Sequence, residues 1–599
     1  MNLSPEDREV GKTNFAAAIG SKPVRREFLL KSVRQGLASR KGLGSYYFGY
    51  EKSVKEPVRV GVIGTGDEGG VLIGALNPEF IQVRAIADIR PYNVFRAFHG
   101  DCYSESQLKA RPGLLGIYKE WTTEEAARNN VKVYAGYEEL IGKAREDKLE
   151  AVIIALPLHL HAPVAVAAMQ AGLHVITEKL MGHTVHECKE MARVAAQTKL
   201  YLAVGHQRHY SILYNNAVEL IQKGVLGNLH YIRAQWHRGN LPGNDSWQMP
   251  LPPGVKNIKE DPAANKLADE LKDWQKKRGA CQKELDAAKA AAEKDDKHAA
   301  AEVKTLGDQI KKLDRLIAQK EAQIDDKHVR AEKFAYEHRQ VKDAAGNVVY
   351  DRPAIEELIR WRLWDRTGAG LMAELGSHQL DAASIFIAAM HGGKMQHPLS
   401  VSAAANRPLF PPDRDIEDHV YCVFEFPAPG YDAKDPQAVN KRIGVQYASI
   451  NGNGFGGYGE TVFGTDGTLI LEREQEVLLY KRDVTASKTR VVKSGNKTVL
   501  DLSESGDEES AAVGQMAMLE AERGYAEELE HWAWCIRNPA PENQPRCHPK
   551  VALKDAVIAL TANMAAREGA RIDFQEEWFD TDRDETPEKV KPDTSRYKA

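Results

Sequence analysis

Apolar runs alternate with amphipathic stretches between residues 57 and 180. Strands are predicted at 58–63, 83–88, 151–155 and 174–177, and helices at 137–146 and 162–171. The run 151–155 is apolar at every position, which is typical of a strand buried on both faces of a sheet. Strands that alternate with helices predict a doubly wound parallel α/β sheet, whose ligands bind at the carboxyl ends of the strands. We therefore predict a Rossmann domain over residues 57–180.

The second half of the chain shows a two-residue alternation of apolar and polar positions. This pattern predicts strands at 399–405, 419–426, 442–451, 461–463, 468–472 and 476–481. Such segments are typical of a large antiparallel sheet with one packed face and one open face. We predict an α+β domain built from residues 181–260 and 341–570 and closed by helices at 520–537 and 549–568. Its open sheet face is available for pairing with another subunit, so a homo-oligomer is expected.

Residues 261–340 carry a third pattern, in which apolar positions stand three and four residues apart among charged ones. The apolar positions are Leu267, Leu271, Trp274, Cys281, Leu285 and Ala288, and then Val303, Leu306, Ile310, Leu313, Ile317 and Ile324. This spacing is typical of a coiled coil, and the polar break at 293–298 favours an antiparallel helical hairpin. The hairpin is either a self-packed protrusion or a clamp on a neighbouring subunit. In both cases we expect a peripheral insertion outside the catalytic core.

Composition narrows the classes of partner. The chain has 599 residues and a formal net charge of −4, which gives no electrostatic case for nucleic acid or an anionic membrane. No run approaches the roughly 18 apolar residues of a membrane span. The six cysteines are scattered and form no C-x-x-C pair, so neither a disulfide framework nor a cysteine zinc site is expected.

The two ends of the chain are polar. Residues 1–56 form an arm that contains Arg25 and Arg26, a pair that resembles a twin-arginine export motif. The residues that follow carry three positive charges where an export signal has an apolar stretch. We expect a retained arm and a cytoplasmic protein; periplasmic export by a working signal is the alternative. The polar tail, residues 571–599, is expected to be loosely held after Trp578.

The first predicted strand runs into Gly64-x-Gly66-x-x-Gly69. Gly64 allows a tight turn, Gly66 lets the backbone approach a pyrophosphate, and Gly69 lets the next helix pack closely on the strand. The N-terminus of that helix presents free N–H groups to phosphates. Asp88 ends the second strand, where a carboxylate accepts hydrogen bonds from ribose hydroxyls and repels a 2′-phosphate. This context predicts NAD as the cofactor and makes NADP less favoured, although Arg90 weakens the preference slightly.

Further motifs resemble the Gfo/Idh/MocA superfamily, whose members are two-domain NAD(P)-dependent enzymes acting mainly on sugars, cyclitols and related alcohols. The motifs are Leu156-Pro-x-His-x-His161, Thr177-Glu-Lys179, Val204-Gly-His-Gln-Arg-His-Tyr210 and Glu374-Leu-Gly-Ser-His378-Gln-Leu-Asp381. The resemblance covers residues 57–250 and 340–570. The chain departs from the family at Leu180, which replaces a proline, at Glu374, which replaces an aspartate, and at Leu156, which replaces a threonine.

The resemblance implies a set of site residues. Lys179 and His378 match the family's catalytic positions, and their chemistry agrees, because histidine is the natural base near neutral pH and a lysine can orient a hydroxyl. Glu374 is four residues from His378 on a presumed helix and is expected to support its ring. Cofactor contacts are expected from Gly64, Gly66, Asp67, Glu68, Gly69, Asp88, Leu156, Pro157, His161 and Glu178. Substrate contacts are expected from Arg208, His209, Trp236, His237 and Asp381.

Three functions fit these residues. The first is a dehydrogenase that consumes NAD while oxidising a secondary hydroxyl of a sugar, cyclitol or glycoside. The second is an NAD-dependent glycosidase, as some members of the superfamily are, which oxidises a ring hydroxyl transiently, eliminates the aglycone, adds water and returns the hydride. The third is a non-catalytic NAD-binding sensor, against which the retention of Lys179 and His378 argues.

Two histidine pairs also invite a metal interpretation. They are His159 with His161 and His183 with His186. Neither pair has a carboxylate at a recognised ligand spacing, and the first lies in the turn that resembles the family's cofactor loop. We therefore expect no metal site.

Overall fold

The computed structural model describes residues 3–20, 43–256, 261–292, 297–482, 490–494, 497–501 and 523–588, together with residues 485 and 591. The Arg25–Arg26 pair lies outside these described residues. Within them, every helix is too short or too polar to cross a bilayer.

A six-stranded parallel sheet forms the core of the first domain. Its strands are β1 (Val58–Ile63), β2 (Ile81–Ala87), β3 (Lys132–Tyr134), β4 (Ala151–Ile154), β5 (His174–Glu178) and β6 (Leu202–Gly205). The strand order β3-β2-β1-β4-β5-β6 is that of a doubly wound dinucleotide-binding sheet. The parallel α/β prediction is confirmed. The sheet extends to Gly205, so the predicted domain end at residue 180 omits β6.

Helices precede and connect these strands. They are α1 (Pro5–Gly20), α2 (Leu43–Phe48), α3 (Asp67–Ala75), α4 (Pro91–His99), α5 (Glu105–Ala110), α6 (Gly113–Ile117), α7 (Glu124–Arg128), α8 (Tyr137–Lys143), α9 (His161–Gln170) and α10 (Val185–Thr198). All four residues of β4 are buried, as the continuous apolar run predicts.

The second domain contains an eight-stranded sheet in the order β15-β14-β13-β7-β12-β11-β10-β18. The strands are β7 (Leu229–His237), β10 (Ser400–Asn406), β11 (His419–Pro427), β12 (Arg442–Ile450), β13 (Tyr458–Gly464), β14 (Thr468–Glu472), β15 (Glu476–Tyr480) and β18 (Arg571–Asp573). The sheet is mixed and not purely antiparallel as expected, because β7 and β12 pair in parallel. β7 precedes β12 by about two hundred residues, so no hairpin turn dictates its direction.

The helices that accompany this sheet leave one of its faces open. The remaining helices are α11 (Ile212–Gln222), α12 (Pro262–Ala292), α13 (Lys297–Asp325), α14 (Ala354–Ile359), α15 (Asp365–Gly368), α16 (Ser377–Met390), α17 (Tyr525–Arg537) and α18 (Pro549–Glu568). α16 packs on β7 and α18 packs on β10. On the opposite face Tyr421 and Val423 of β11 are 42% and 53% exposed, whereas Val420, Cys422 and Phe424 are buried. The predicted alternation is confirmed for this strand. Two small hairpins complete the described strands: β8 (Arg339–Lys342) with β9 (Val348–Arg352), and β16 (Arg490–Ser494) with β17 (Lys497–Asp501).

The insertion contains two long helices, α12 and α13, that pack along each other. A small apolar cluster joins them, formed by Leu285, Ala288, Leu306 and Ile310. The two helices form a helical hairpin, and its description as a coiled coil stays a prediction.

The base of this hairpin is not peripheral. α13 packs against α4 of the first domain. Asp326, directly after α13, accepts hydrogen bonds from Arg90 Nε at 2.8 Å and from the backbone N–H of Tyr92 at 3.1 Å. The expectation that the insertion lies outside the catalytic core is therefore wrong at its base, because a buried carboxylate of the insertion binds residues that follow β2.

Both ends of the chain also pack more closely than expected. In α1, the Asn14 side chain donates a hydrogen bond to the carbonyl of Leu479 at 3.1 Å, so the arm covers the edge strand β15. At the other end, Lys189 Nζ donates to the carbonyls of Glu577 and Arg583 at 2.7 and 2.9 Å. β18 pairs with β10. The expectation of a loose tail after Trp578 is thus wrong for residues 579–588.

Candidate active site

A cavity of about 450 Å³ lies where the carboxyl ends of β1, β2, β4 and β5 face the second domain. Eight of the ten predicted cofactor residues line it: Gly64, Gly66, Asp67, Glu68, Asp88, Leu156, Pro157 and Glu178. Lys179, Glu374 and His378 line the same cavity, as does Trp236. The structure therefore brings the glycine loop and the predicted catalytic side chains to one space.

The glycine loop has the geometry that its sequence predicts. Gly64 has φ +84°, and a Cβ there would meet the carbonyl oxygen of Ala155 at 2.3 Å. A Cβ on Gly69 would meet the carbonyl oxygen of Gly64 at 2.1 Å, so α3 packs directly on the turn. At Gly66 the nearest heavy atom would be 3.5 Å away, which leaves that side of the loop open to a ligand. The first N–H groups of α3 have no partner within the helix and are available to a pyrophosphate.

His161 lies behind the cavity wall and not in it. Its Nδ1 is 2.8 Å from the carbonyl oxygen of Leu180, and its Nε2 is 2.8 Å from that of Leu156. The ring therefore links the turn after β4 to the turn after β5, and the Lys179–Leu180 peptide in the second turn is cis. His161 holds the cofactor turns in place, whereas the sequence predicts a direct cofactor contact.

Asp88 stabilises the glycine loop as well as facing the cavity. Its carboxylate accepts hydrogen bonds from the backbone N–H of Thr65 at 2.7 Å, from the N–H of Arg90 at 2.9 Å and from Asn93 Nδ2 at 3.1 Å. The Thr65 hydroxyl lies 3.3 Å from the same carboxylate and 3.2 Å from the carbonyl oxygen of Asn93. When its one proton is donated to Asn93, one of the roughly four lone-pair positions of Asp88 is left for a ribose hydroxyl. The Arg90 side chain is not free to turn toward the ribose of a bound cofactor, because Asp326 binds it. The open side of Gly66, the α3 N-terminus and Asp88 together fit NAD.

Asp67 and Glu68, two acidic residues at the start of α3, lie beside the predicted pyrophosphate site. Burial works against ionisation of Asp67, but Arg96, whose Nη2 is 2.5 Å away, and Arg111 lower its pKa and balance its charge. Burial raises the pKa of Glu68. Burial also raises the pKa of Glu178 to about 8, with a further contribution from Glu68. Glu178 is therefore protonated at neutral pH.

Lys179 and His378 reach the cavity from different domains. Lys179 follows β5 directly, and its Nζ donates a hydrogen bond to the backbone carbonyl of Glu374 at 2.6 Å. His378 is the second residue of α16, and its ring centroid lies 5.4 Å from that of Trp236. Burial lowers the pKa of His378 well below its ordinary value, and the positive charges of Lys179 and Arg208 lower it further. His378 is therefore a neutral imidazole at neutral pH.

Glu374 does not support His378 as predicted. Its carboxylate accepts a hydrogen bond from Arg362 Nε at 2.7 Å. His378 Nδ1 is buried and has no hydrogen-bond partner among the described residues. A guanidinium is a stronger partner for a carboxylate than a neutral imidazole is, so Arg362 takes the position that the sequence assigns to the histidine. Glu374 instead orients Lys179 through its backbone carbonyl.

Trp236 lines the cavity, but the other four predicted substrate residues do not. His237 follows Trp236 on β7 and points to the opposite face, because side chains alternate along a strand. His209 and Asp381 bind each other, with 2.8 Å between Nε2 and Oδ1. Arg208 is buried in the second domain.

Arg208 is held inside the second domain by two glutamates. Its Nε donates to Glu474 at 2.7 Å, and its Nη1 donates to Glu460 at 3.1 Å and to the backbone carbonyl of His378. Its Nη2 is buried without a partner among the described residues, but Arg208 does not line the cavity, so this donor does not face a ligand there. Arg208 therefore positions the start of α16 and does not contact substrate.

Several cavity residues are absent from the sequence prediction. They are cationic or aromatic side chains of the second domain: Arg238, Trp247, Arg360, Trp361, Arg362, Tyr458, Arg523 and Tyr525. Arg238 stands two positions after Trp236, so the alternation of β7 was a sufficient signal for it. The others come from loops whose approach to the cavity depends on the tertiary fold.

The first domain is similar in sequence to known NAD-binding proteins. Residues 58–206 match the family model described as "Oxidoreductase family, NAD-binding Rossmann fold", the Gfo/Idh/MocA family. An uncharacterized oxidoreductase of Schizosaccharomyces pombe is 33% identical over 155 residues, which are 24% of this chain and 41% of that protein. A glycosyl hydrolase family 109 protein of Solibacter usitatus is 26% identical over 213 residues, 35% of this chain and 44% of that protein.

The similarity to these relatives is partial. The chain spans about two fifths of the length of the curated relatives it matches. Among solved structures, the WlbA dehydrogenase from Bordetella pertussis in complex with NADH and UDP-GlcNAcA aligns with a TM-score of 0.47 at 13% identity, covering 87% of this chain and 99% of that one. The myo-inositol 2-dehydrogenase from Lactobacillus plantarum aligns with a TM-score of 0.44 at 15% identity, covering 87% and 100%. Within residues 58–206 the chain matches the NAD-binding Rossmann fold of this oxidoreductase family model, in agreement with the glycine loop and the strand order.

Proposed function

We propose that this protein is an NAD-dependent oxidoreductase that moves a hydride between nicotinamide and a secondary hydroxyl of a sugar, cyclitol or glycoside. One observation carries the proposal. A neutral, buried histidine and a lysine from two different domains share a cavity with a dinucleotide-binding glycine loop. Burial alone would also keep a structural histidine neutral, so the proposal depends on the position of His378 in one cavity with Lys179 and the glycine loop.

The reaction needs a base for the hydroxyl proton and a cation for the oxygen that gains negative charge. His378 can accept the proton, because burial keeps its ring unprotonated at neutral pH. Lys179 can donate a hydrogen bond to the hydroxyl oxygen, and the carbonyl of Glu374 fixes the direction of its ammonium group. When bound, NAD supplies the ring that accepts the hydride.

The surrounding side chains suit a carbohydrate. Trp236 and Tyr458 stack with their ring centroids 4.2 Å apart and form one aromatic wall beside His378. An aromatic face packs against the C–H face of a sugar ring, while the polar groups fix its orientation. This arrangement leaves the hydroxyls of such a ring free to face Lys179 and His378.

A specific observation favours the NAD-dependent glycosidase as the second candidate. Glu178 lines the cavity beside Lys179 and is protonated at neutral pH because its pKa is raised to about 8. A protonated acid is the group that an aglycone needs when it leaves. The similarity to glycosyl hydrolase family 109 proteins over about a third of this chain points the same way.

One screen separates these functions. The purified full chain is incubated with sugars, cyclitols and aryl glycosides, with and without added NAD, while NADH absorbance and aglycone release are followed. NADH that accumulates in proportion to the NAD supplied supports the dehydrogenase. Aglycone release without net NADH supports the glycosidase. If NAD binds but neither product forms on any compound, the protein is a non-catalytic sensor and both proposals fail.

The open sheet face supports a homo-oligomer as part of this proposal. Its exposed apolar residues include Tyr421 and Val423. Val423→Lys places a charge at the centre of that face and should lower the mass measured by light scattering if subunits pair there. An unchanged mass would remove this face as the interface.

A further inference from the structure

Arg238 is an arginine of the cavity wall that lies between two tryptophans. It follows the last residue of β7, and its guanidinium carbon is 5.6 Å from the ring centroid of Trp236 and 5.5 Å from that of Trp247. Trp236 also packs beside His378. Arg238 therefore belongs to the part of the cavity where the reacting hydroxyl would lie, away from the glycine loop.

Among the described residues, the Arg238 side chain has no ion-pair or hydrogen-bond partner. Its Nε is buried without an acceptor. Burial lowers the pKa of Arg238, as expected for a guanidinium that has lost water without gaining a carboxylate at contact distance. Arg238 is partly buried, and a guanidinium in such a place with no carboxylate in hydrogen-bonding contact is unfavourable, so folded proteins usually pair such a group or use it to bind a ligand.

The other arginines of the cavity are paired. Their contacts are Arg362 with Glu374, Arg523 with Glu474, Arg360 with Glu356, Arg96 with Asp67 and Arg90 with Asp326. Each pair balances a positive charge with a negative one.

Among the described residues, no carboxyl group that lines the cavity is in hydrogen-bonding contact with the Arg238 side chain, although the charge of Glu374 acts on it. Arg362 binds Glu374, and the N–H groups of the glycine loop and of Arg90 bind Asp88. Glu68 and Glu178 have pKa values raised by burial. Arg238 is therefore a cation with free donors, in a cavity where Glu374 and Asp88 already have partners and burial disfavours the charge on Glu68 and Glu178.

We propose that the substrate is an anionic carbohydrate, whose carboxylate or phosphate ester binds Arg238 while a ring hydroxyl faces Lys179 and His378. A guanidinium presents parallel N–H donors that match two oxygens of such a group. Trp236 and Trp247 hold the guanidinium between their faces, which fixes its direction before the ligand arrives. This inference rests on the proposed function for its reaction but not for its anion site.

The test uses the full chain loaded with NADH and matched pairs of probes. D-Glucuronate is compared with D-glucose, and D-glucose 6-phosphate is the third probe, so that the carboxylate and the phosphate are distinguished. Binding is measured by calorimetry, and kcat/KM is measured for any compound of the screen that is oxidised. Arg238→Gln removes the charge and Arg238→Lys keeps it. Arg233→Gln, on the same strand but facing away from the cavity, is the matched control.

We expect an acidic probe to bind at least tenfold more tightly than D-glucose. Arg238→Gln should weaken the acidic probe by roughly 10- to 100-fold and leave D-glucose unchanged, because a hydrogen bond to a charged group is lost only with the acid. Arg238→Lys should keep part of the preference, and Arg233→Gln should keep all of it. NAD affinity should not change in any variant.

Three results would overturn the inference. The first is equal binding of neutral and acidic probes by the wild type. The second is an equal effect of Arg238→Gln on both classes in a variant that still melts at the wild-type temperature. The third is a loss of NAD affinity in Arg238→Gln, which would assign the arginine to the cofactor's phosphates. Arg238-dependent binding of an acidic probe without oxidation of any sugar would instead retain the anion site and reject the proposed function.

Discussion

Asp326 of the helical insertion is the residue at which the structure departs most from the peripheral role that the sequence predicts. Its side chain is fully buried, and its Oδ2 lies 2.8 Å from Nη2 of Arg90, whose side chain is 13% exposed. Asp326→Ala removes this charge and also the acceptor for the Tyr92 N–H. Arg90 is then left without its carboxylate partner near the end of β2.

The expected magnitude follows from that burial. Removing one member of a buried ion pair typically costs about 3–5 kcal/mol, because the other charge stays buried without a partner. We expect Asp326→Ala to lower the free energy of unfolding by about 3 kcal/mol, since Arg90 is partly exposed. Asp326→Asn keeps an acceptor for Tyr92 and should cost less, about 1–2 kcal/mol.

The same change should alter the choice of cofactor. Arg90 stands two residues after Asp88, and an arginine in that region accommodates the 2′-phosphate of NADP when it is free to do so. Release from Asp326 should therefore raise NADP affinity about tenfold, which is about 1.4 kcal/mol, and leave NAD affinity nearly unchanged. Calorimetric titration with each cofactor and thermal unfolding measure the two effects.

The matched control is Asp325→Ala, because Asp325 is exposed and adjacent in sequence. It should change neither stability nor cofactor affinity. If Asp326→Ala behaves like this control in both measurements, the insertion is peripheral after all and the reasoning from the Arg90–Asp326 pair is refuted.

Three further predictions concern the glycine loop and the base. Gly69→Ala should abolish NAD binding and lower the melting temperature, because its Cβ would meet the carbonyl oxygen of Gly64 at 2.1 Å. The control is Gly142→Ala, where a Cβ meets nothing within 4 Å, and it should change neither NAD binding nor the melting temperature. Asp88→Ser should narrow the preference for NAD over NADP in calorimetric titrations, and a wild type that already binds NADP as tightly as NAD would contradict the assignment. Because the pKa of His378 is lowered, its ring stays neutral until the pH falls through that lowered value. The ratio kcat/KM should therefore stay constant from neutral pH to below about pH 6.5. A decrease in kcat/KM centred at or above about pH 6.5 would exclude this histidine as the base.

Much of the fold could be predicted from the sequence where local pattern and final environment agree. β1, at Val58–Ile63, and α18, at Pro549–Glu568, have the predicted bounds. A continuous apolar run can only be a buried segment, and glycines at fixed spacing require a close-packed turn. The position of β7 beside β12 could not be predicted in this way, because it depends on a pairing between residues about two hundred positions apart.

In the candidate site, too, some residues could be predicted from local sequence patterns and others depend on the tertiary fold. Lys179 and His378 were predicted from motifs, and both line the cavity. The pairing of Glu374 with Arg362 was missed, because spacing on a helix identifies which residues are neighbours but not which partner binds more strongly. Arg208 was assigned to substrate because residues 204–210 resemble a family motif, whereas its burial between two glutamates depends on the tertiary fold.

The central claim is that Lys179 and His378 act on one substrate hydroxyl beside bound NAD. The most direct measurement is kcat, together with NAD affinity by calorimetry, for His378→Ala, Lys179→Ala and the double variant on the compound identified by the screen. We expect each single variant to lower kcat by roughly 10²–10⁴ with NAD affinity unchanged, and the double variant to cost far less than the product of the two. Near-wild-type turnover in His378→Ala, with the protein folded and NAD bound, would contradict the account.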